Sequence, residues 1–80
     1  MQILKFYTTQ TDLATALKFV VDEYLSNNIS EESMSTYVND LIESNNDIYY
    51  KNGEIASKVR VVLGKKRISL INNVLRQVRG

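Results

Sequence analysis

The cationic side chains that follow Gly64 are the residues best suited to chemistry in this chain. Three consecutive cations, Lys65, Lys66 and Arg67, come directly after that glycine. If Gly64 ends a helix, the cations stand at the start of the next helix, where each opposes the helix dipole by roughly 0.3–1 kcal/mol. Free backbone amides and cations together favour a phosphate group, which offsets that repulsion. The tract therefore predicts phosphate contacts to a nucleic acid.

A second interpretation places the same tract at the end of a helix. If a third helix continues past Gly64, the cations occupy its last turn, where the dipole favours them, and Ser69 caps a fourth helix. A glycine inside a helix costs about 1 kcal/mol relative to alanine, which favours a helix end at Gly64. The sequence leaves both interpretations open.

Polar side chains lie along one broad side of the last predicted helix. They are Ser69, Asn72, Asn73, Arg76 and Arg79. Asn and Arg are the side chains that bind adenine and guanine edges in a major groove. The predicted phosphate contacts are Lys58, Lys65, Lys66, Arg67 and Arg76, and the predicted base contacts are Asn72 and Asn73. Two helices that meet at Gly64 suggest a helix-turn-helix-like pair, although Arg60 stands where that motif has a small residue. A polar helix face without base recognition is the alternative.

Two adjacent tyrosines precede the basic region. Tyr49 and Tyr50 lie beside Lys51, and aromatic faces near cations are typical of platforms on which unpaired bases stack. Such a pair more often closes a core under a loop. We favour the second role.

The charge of the chain is divided by position. Residues 1–50 carry two cationic and eight acidic side chains, whereas residues 51–80 carry eight cationic and one acidic. This asymmetry indicates a surface for a polyanion or for a charged partner. The alternative is that the two halves pack against each other with ordinary solvated faces.

Composition narrows the classes of function. The chain has no Cys and no His, so disulfides and thiolate or imidazole metal sites are excluded, and we expect no cofactor. The acidic pairs Asp22–Glu23 and Glu31–Glu32 are sequence neighbours, which do not face a common point on a helix. No phosphate-cradling glycine loop is present. We therefore expect a protein that is not an enzyme.

Sequence patterns also bear on location. No apolar run approaches the roughly 20 residues that cross a bilayer, and the first residues lack a signal-peptide pattern. We expect a cytoplasmic protein with no membrane partner.

Apolar spacing predicts the helices. Thr9 is the predicted N-cap, in a capping-box-like arrangement, of a first helix that extends to about Ser26. In this helix Asp22 is expected to face water. Ser30 caps a second helix over about residues 31–45. Residues 44–53 form a loop, in which Asn52–Gly53 is either a hairpin turn or the cap of a third helix. The apolar period from Ile55 onward favours the cap.

The fold class follows from these elements. Eighty residues make one small domain, predicted as mainly α. We expect a compact bundle of about four short helices, with a helix-turn-helix-like C-terminal pair that extends to Val78. Residues 2–8 are compatible with a short N-terminal strand or an extended lead-in.

The stretches Asn52–Arg60 and Leu63–Arg67, in a background rich in Asn, Ile, Lys and Tyr, resemble short proteins encoded on staphylococcal mobile elements and phages. The chain is similar to small TscA-like antitoxins or regulators, chiefly over residues 30–78. The resemblance implies an accessory protein of a mobile element's regulatory or replication cassette. It carries over no functional residue.

Two functions are expected from these patterns. The first is a nucleic-acid-binding regulator that uses the basic C-terminal helices. The second is a module that docks on a protein such as a toxin, polymerase, helicase or defence nuclease, because a bipolar field steers a small domain onto a complementary partner. The sequence leaves open whether the chain forms a homodimer.

Overall fold

The computed structural model describes residues 4–79, with side chains through residue 78. Within these residues the chain is mainly α-helical with one two-stranded hairpin, which confirms the predicted class. The elements, in chain order, are α1 (Gln10–Leu25), α2 (Glu31–Ser44), α3 (Asn46–Tyr49), β1 (Tyr50–Lys51), β2 (Glu54–Ile55) and α4 (Ser57–Arg79).

The first two helices begin at their predicted caps. The Thr9 hydroxyl accepts a hydrogen bond of 3.1 Å from the Asp12 amide, and the Ser30 hydroxyl accepts one of 3.0 Å from the Ser33 amide. Each bond satisfies an amide that has no partner within its own helix. Because capping depends on neighbouring residues alone, both starts were predictable.

The predicted cap at Asn52–Gly53 is wrong, because these residues form a hairpin turn. Their φ values are 54° and 81°, the left-handed pair that a two-residue type I′ turn requires. The strands pair antiparallel, with Tyr50 opposite Ile55. Ile55 therefore belongs to β2, and α4 begins later, at Ser57. The predicted loop before the turn also contains the one-turn helix α3.

Residues 4–8 form an irregular lead-in with bends at residues 5 and 8 and no strand, while residues 2 and 3 of the predicted strand lie outside the described part. The buried side chain of Asn45 holds the lead-in in place. Its Oδ1 accepts from the Tyr7 amide at 2.9 Å, and its Nδ2 donates to the Lys5 carbonyl at 2.8 Å. The same Nδ2 also donates to the Leu41 carbonyl at 2.8 Å.

Helix α4 is broken at Gly64. The φ and ψ of Gly64 are 79° and 166°, a combination that is essentially confined to glycine. A first segment of residues 57–63 and a second segment of residues 65–79 therefore meet at one residue. The predicted helix end at Gly64 is confirmed, and the alternative of an unbroken helix with a Ser69 cap is wrong. A helix-turn-helix motif has a turn of three to four residues, which is longer than this junction.

Helix α1 packs mainly against α4, and both pack against α2. The core is apolar and drawn from every helix; it includes Leu13, Leu17, Val20, Val21, Met34, Val38, Ile42, Tyr49, Val59, Leu63, Ile71, Val74 and Leu75. These side chains pack α4 against α1.

Candidate nucleic-acid interface

The second segment of α4 presents a polar surface opposite its buried side. We call this surface the basic face; its members are all exposed, and they are Lys65, Lys66, Ser69, Asn72, Asn73 and Arg76. At 3.6 residues per turn these positions share one side of a helix. The buried residues Ile71, Val74 and Leu75 lie on the opposite side. Five predicted contact residues are therefore brought together on one surface.

Two members of the basic face are bonded to each other. The Nη2 of Arg76 donates to the Oδ1 of Asn73 at 3.1 Å. This bond engages the amide oxygen of Asn73 and leaves its NH₂ group and the other guanidinium donors of Arg76 turned to solvent. The pair thus offers hydrogen-bond donors, which suit phosphate oxygens and the acceptor atoms of guanine.

Lys65 and Lys66 stand in the first turn of the second segment, where the helix dipole opposes them. Both are exposed and form no ion pair within the described residues. Two solvated cations beside backbone amides at a helix start can bind an external anion.

Arg67, one of the predicted phosphate contacts, is hydrogen-bonded within the fold. Its guanidinium points to α1, where Nε donates to Asp22 Oδ1 at 2.8 Å and Nη2 donates to Asp22 Oδ2 at 3.2 Å. Nη1 donates to the Leu63 carbonyl at 3.0 Å. The side chains of Arg67 and Asp22 are 30% and 42% exposed, respectively. The three cations after Gly64 therefore divide into two that face solvent and one that is engaged within the fold.

Asp22 is a partner of Arg67 that sequence reasoning missed, since the sequence predicted that it faces water. The two residues are 45 positions apart. No local spacing rule relates them, because the contact arises only from the packing of α1 on α4.

Lys58 lies on the first segment of α4, on the other side of the break. It is exposed and lines a recess of about 290 Å³ together with Lys51 of β1. The start of α1 forms the opposite wall of this recess. Lys58 is therefore accessible, but the structure places it on a different helical segment from the basic face.

The two tyrosines have the core role that we favoured. Tyr49 is fully buried, and burial raises the pKa of its hydroxyl above the ordinary value. Tyr50 is half-buried and meets Tyr49 edge to face, with ring centroids 4.8 Å apart. Since the Tyr49 ring is enclosed, the pair does not offer two faces on which bases can stack.

A second surface lies between α2 and the end of α4. It is an open groove of about 510 Å³, and its rim carries the carboxylates of Glu31, Glu32 and Asp40. Val78, which is 51% exposed, forms part of the α4 wall. The acidic charge of the first half of the sequence is thus partly concentrated at one groove.

The described residues contain no group of three His, Cys, Asp or Glu side chains arranged to hold a metal ion. In the same part of the chain, no helix is both long and apolar enough to cross a membrane.

Comparison with known proteins gives one match. The model of a family described as conserved hypothetical protein, CLB_0814_fam, matches residues 4–76. No curated protein matches the chain, and no solved structure matches it. The match spans nearly every residue of the described fold, including both segments of α4.

Proposed function

The chain belongs to the CLB_0814 family of conserved hypothetical proteins, and we propose that it is a non-enzymatic, nucleic-acid-binding regulatory or accessory protein of a mobile genetic element. The basic face binds the nucleic acid. Lys65, Lys66 and Arg76 contact phosphates, and Asn72 and Asn73 contact base edges.

One observation carries this proposal: the basic face collects cations and amides on a single exposed helix side. Its two N-terminal lysines are placed against the helix dipole, so a bound phosphate stabilises them. An exposed helix side has a shape that enters a major groove, where Asn and Arg side chains meet base edges.

Replacement of Lys65 and Lys66 by alanine tests the face. We expect fluorescence-anisotropy titrations with short duplex DNA to show weaker binding by the double variant. Each lost phosphate contact reduces the salt slope by about 0.9, so loss of both should flatten it by about 2 if each lysine contacts one phosphate.

The matched control is the Lys5→Ala and Lys18→Ala double variant. It removes the same charge from exposed positions outside the basic face. We expect its affinity to stay close to that of the unchanged protein. Equal losses of affinity in the two double variants would mean that net charge alone explains the effect. If the unchanged protein binds neither duplex nor single-stranded DNA at low salt, the proposed function is refuted. A cassette of mobile-element genes around the coding sequence would support the proposed origin.

The groove between α2 and α4 favours a second candidate, a module that docks on a basic segment of a protein. Its carboxylate rim and the exposed apolar surface of Val78 suit an Arg or Lys side chain, which has an apolar stem and a charged end. Toxins, polymerases, helicases and nucleases that bind nucleic acids carry such basic segments.

A Glu31→Gln and Glu32→Gln double variant tests this candidate. We expect a protein that co-purifies with the unchanged chain to be lost from this variant and retained by the Lys65→Ala and Lys66→Ala variant. The reverse pattern would assign the docking to the basic face. Clean recovery of the unchanged chain alone from its native host would contradict protein docking.

A further inference from the structure

We infer that Arg67 and Asp22 form a positioning pair that orients the basic face, and that Arg67 does not bind nucleic acid itself. This inference rests on the proposed function, since it assigns a role to residues beside the proposed site. It also changes the composition of that site, because Arg67 is the last of the three consecutive cations after Gly64.

The first step of the argument is the freedom of the junction. Gly64 alone joins the two segments of α4, with φ at 79° and ψ at 166°. Apart from its chain neighbours and the backbone of its own helix, a Cβ built at Gly64 would meet no atom within 4 Å, so no other residue packs against that position. The backbone of a glycine is the least restricted in the chain. A fixed angle between the segments therefore needs restraint from contacts on either side of it.

Arg67 supplies contacts on both sides. Its Nη1 bonds to the carbonyl of Leu63, the residue before the break, at 3.0 Å. Its Nε and Nη2 bond to the two carboxylate oxygens of Asp22, on α1, at 2.8 and 3.2 Å. One planar guanidinium thus joins both segments of α4 to α1. Parallel donors of this kind specify direction as well as distance.

The bonds to Asp22 and Leu63 also limit which other contacts Arg67 can make while they are intact. Three of its donors are engaged within the fold, and its side chain is 30% exposed, whereas Lys65 and Lys66 are exposed without an ion pair in the described region. A phosphate contact by Arg67 would require the Asp22 bonds to break. The pair instead fixes the second segment with Lys65 and Lys66 directed outward.

The Asp22→Ala variant separates positioning from direct contact, because the two roles predict opposite results. If Arg67 positions the face, loss of Asp22 lowers the affinity for duplex DNA by about two- to five-fold, the range for a partly exposed ion pair. The salt slope stays unchanged. If Arg67 contacts phosphate, loss of Asp22 frees it, so binding tightens and the salt slope steepens.

Two further variants complete this comparison. Asp47→Ala removes the same charge from an exposed position on α3, and we expect unchanged or slightly tighter binding. Arg67→Lys keeps the charge but cannot form the two-oxygen contact and the Leu63 bond together. We expect it to lose affinity with an unchanged salt slope. Affinity equal to that of the unchanged protein would overturn the positioning role.

A measurement without nucleic acid keeps this inference separate from the proposed function. NMR residual dipolar couplings report the orientation of residues 65–79 relative to α1 in the free full-length chain. In the Asp22→Ala variant we expect α1 and α2 to fit the unchanged structure, while residues 65–79 depart from it. Unchanged couplings in all helices would overturn the positioning pair. If the unchanged protein fails to bind any nucleic acid, the proposed function falls and the couplings alone decide the role of Arg67.

Discussion

The hydroxyl of Tyr49 is buried and has no hydrogen-bond partner among the described residues. A buried polar group without a partner costs about 1–3 kcal/mol. The ring of the same residue packs in the core and against Tyr50. The ring therefore stabilises the fold, whereas the hydroxyl opposes it.

The Tyr49→Phe variant tests this division. It keeps the ring and removes the hydroxyl, so we expect the free energy of unfolding at pH 7 to rise by about 1–2 kcal/mol. Urea denaturation followed by circular dichroism measures the change. Tyr50→Phe, at a half-buried neighbour, is the matched control and should change little. A loss of stability in Tyr49→Phe would show that the hydroxyl has a partner.

The same variant has a predicted pH dependence. Burial raises the pKa of Tyr49 above its ordinary value, which is near 10. The unfolded chain therefore loses this proton near pH 10 while the folded chain retains it, so stability is retained below pH 10 and falls as the pH rises further. We expect this alkaline decline to be shallower in Tyr49→Phe. Tyr7, whose pKa is raised by partial burial, accounts for part of the decline that persists.

Asn45 shows why some residues could not be assigned from the sequence. Its amide side chain bonds to Lys5 and Tyr7, which lie 40 and 38 positions away. The sequence placed Asn45 in a polar loop, because Asn beside Asn and Asp is typical of loops. Asn45 becomes buried and hydrogen-bonded to the lead-in only because the lead-in packs over the end of α2.

Among the elements, α4 depends most directly on one residue, since its two segments meet at Gly64. An L-residue at such a φ and ψ is strained by about 1–3 kcal/mol. Space is not the limiting factor, because no atom beyond the chain neighbours and the backbone of the same helix lies within 4 Å of the Cβ position.

We therefore expect Gly64→Ala to lower the free energy of unfolding by about 1–3 kcal/mol, through backbone strain alone. Chemical denaturation measures the loss. Ser69→Ala, at an exposed position of the same helix, is the control and should stay within about 0.5 kcal/mol. A Gly64→Ala protein as stable as the original would mean that α4 straightens without cost.

Whether an element could be predicted depended on how far apart in the sequence its interacting residues lie. The starts of α1 and α2 were predictable because Thr9 and Ser30 bond to amides three residues away. The hairpin was considered but not favoured, because Ile55 also fits the apolar period of the following helix. The Asn-Gly turn signal and the helical period competed over the same residues, and the turn prevailed.

At the scale of the molecule, the divided charge of the sequence is only partly retained as divided surfaces. Asp22 and Arg67 join the acidic and the basic parts of the chain directly. The remaining charges form separate regions, the carboxylate rim of the α2–α4 groove and the basic face. The sequence predicted most members of the basic face because they follow one helical period. It could not show that Arg67 is paired with Asp22 within the fold.

The packing of α1 mainly on α4 also constrains when the protein folds during its synthesis. The ribosome makes α1 before α4, so the surface that covers the apolar side of α1 is made later than α1 itself. Until α4 emerges, α1 and α2 expose apolar side chains that only the complete core covers. Folding of this domain should therefore follow translation of α4 rather than accompany translation of α1.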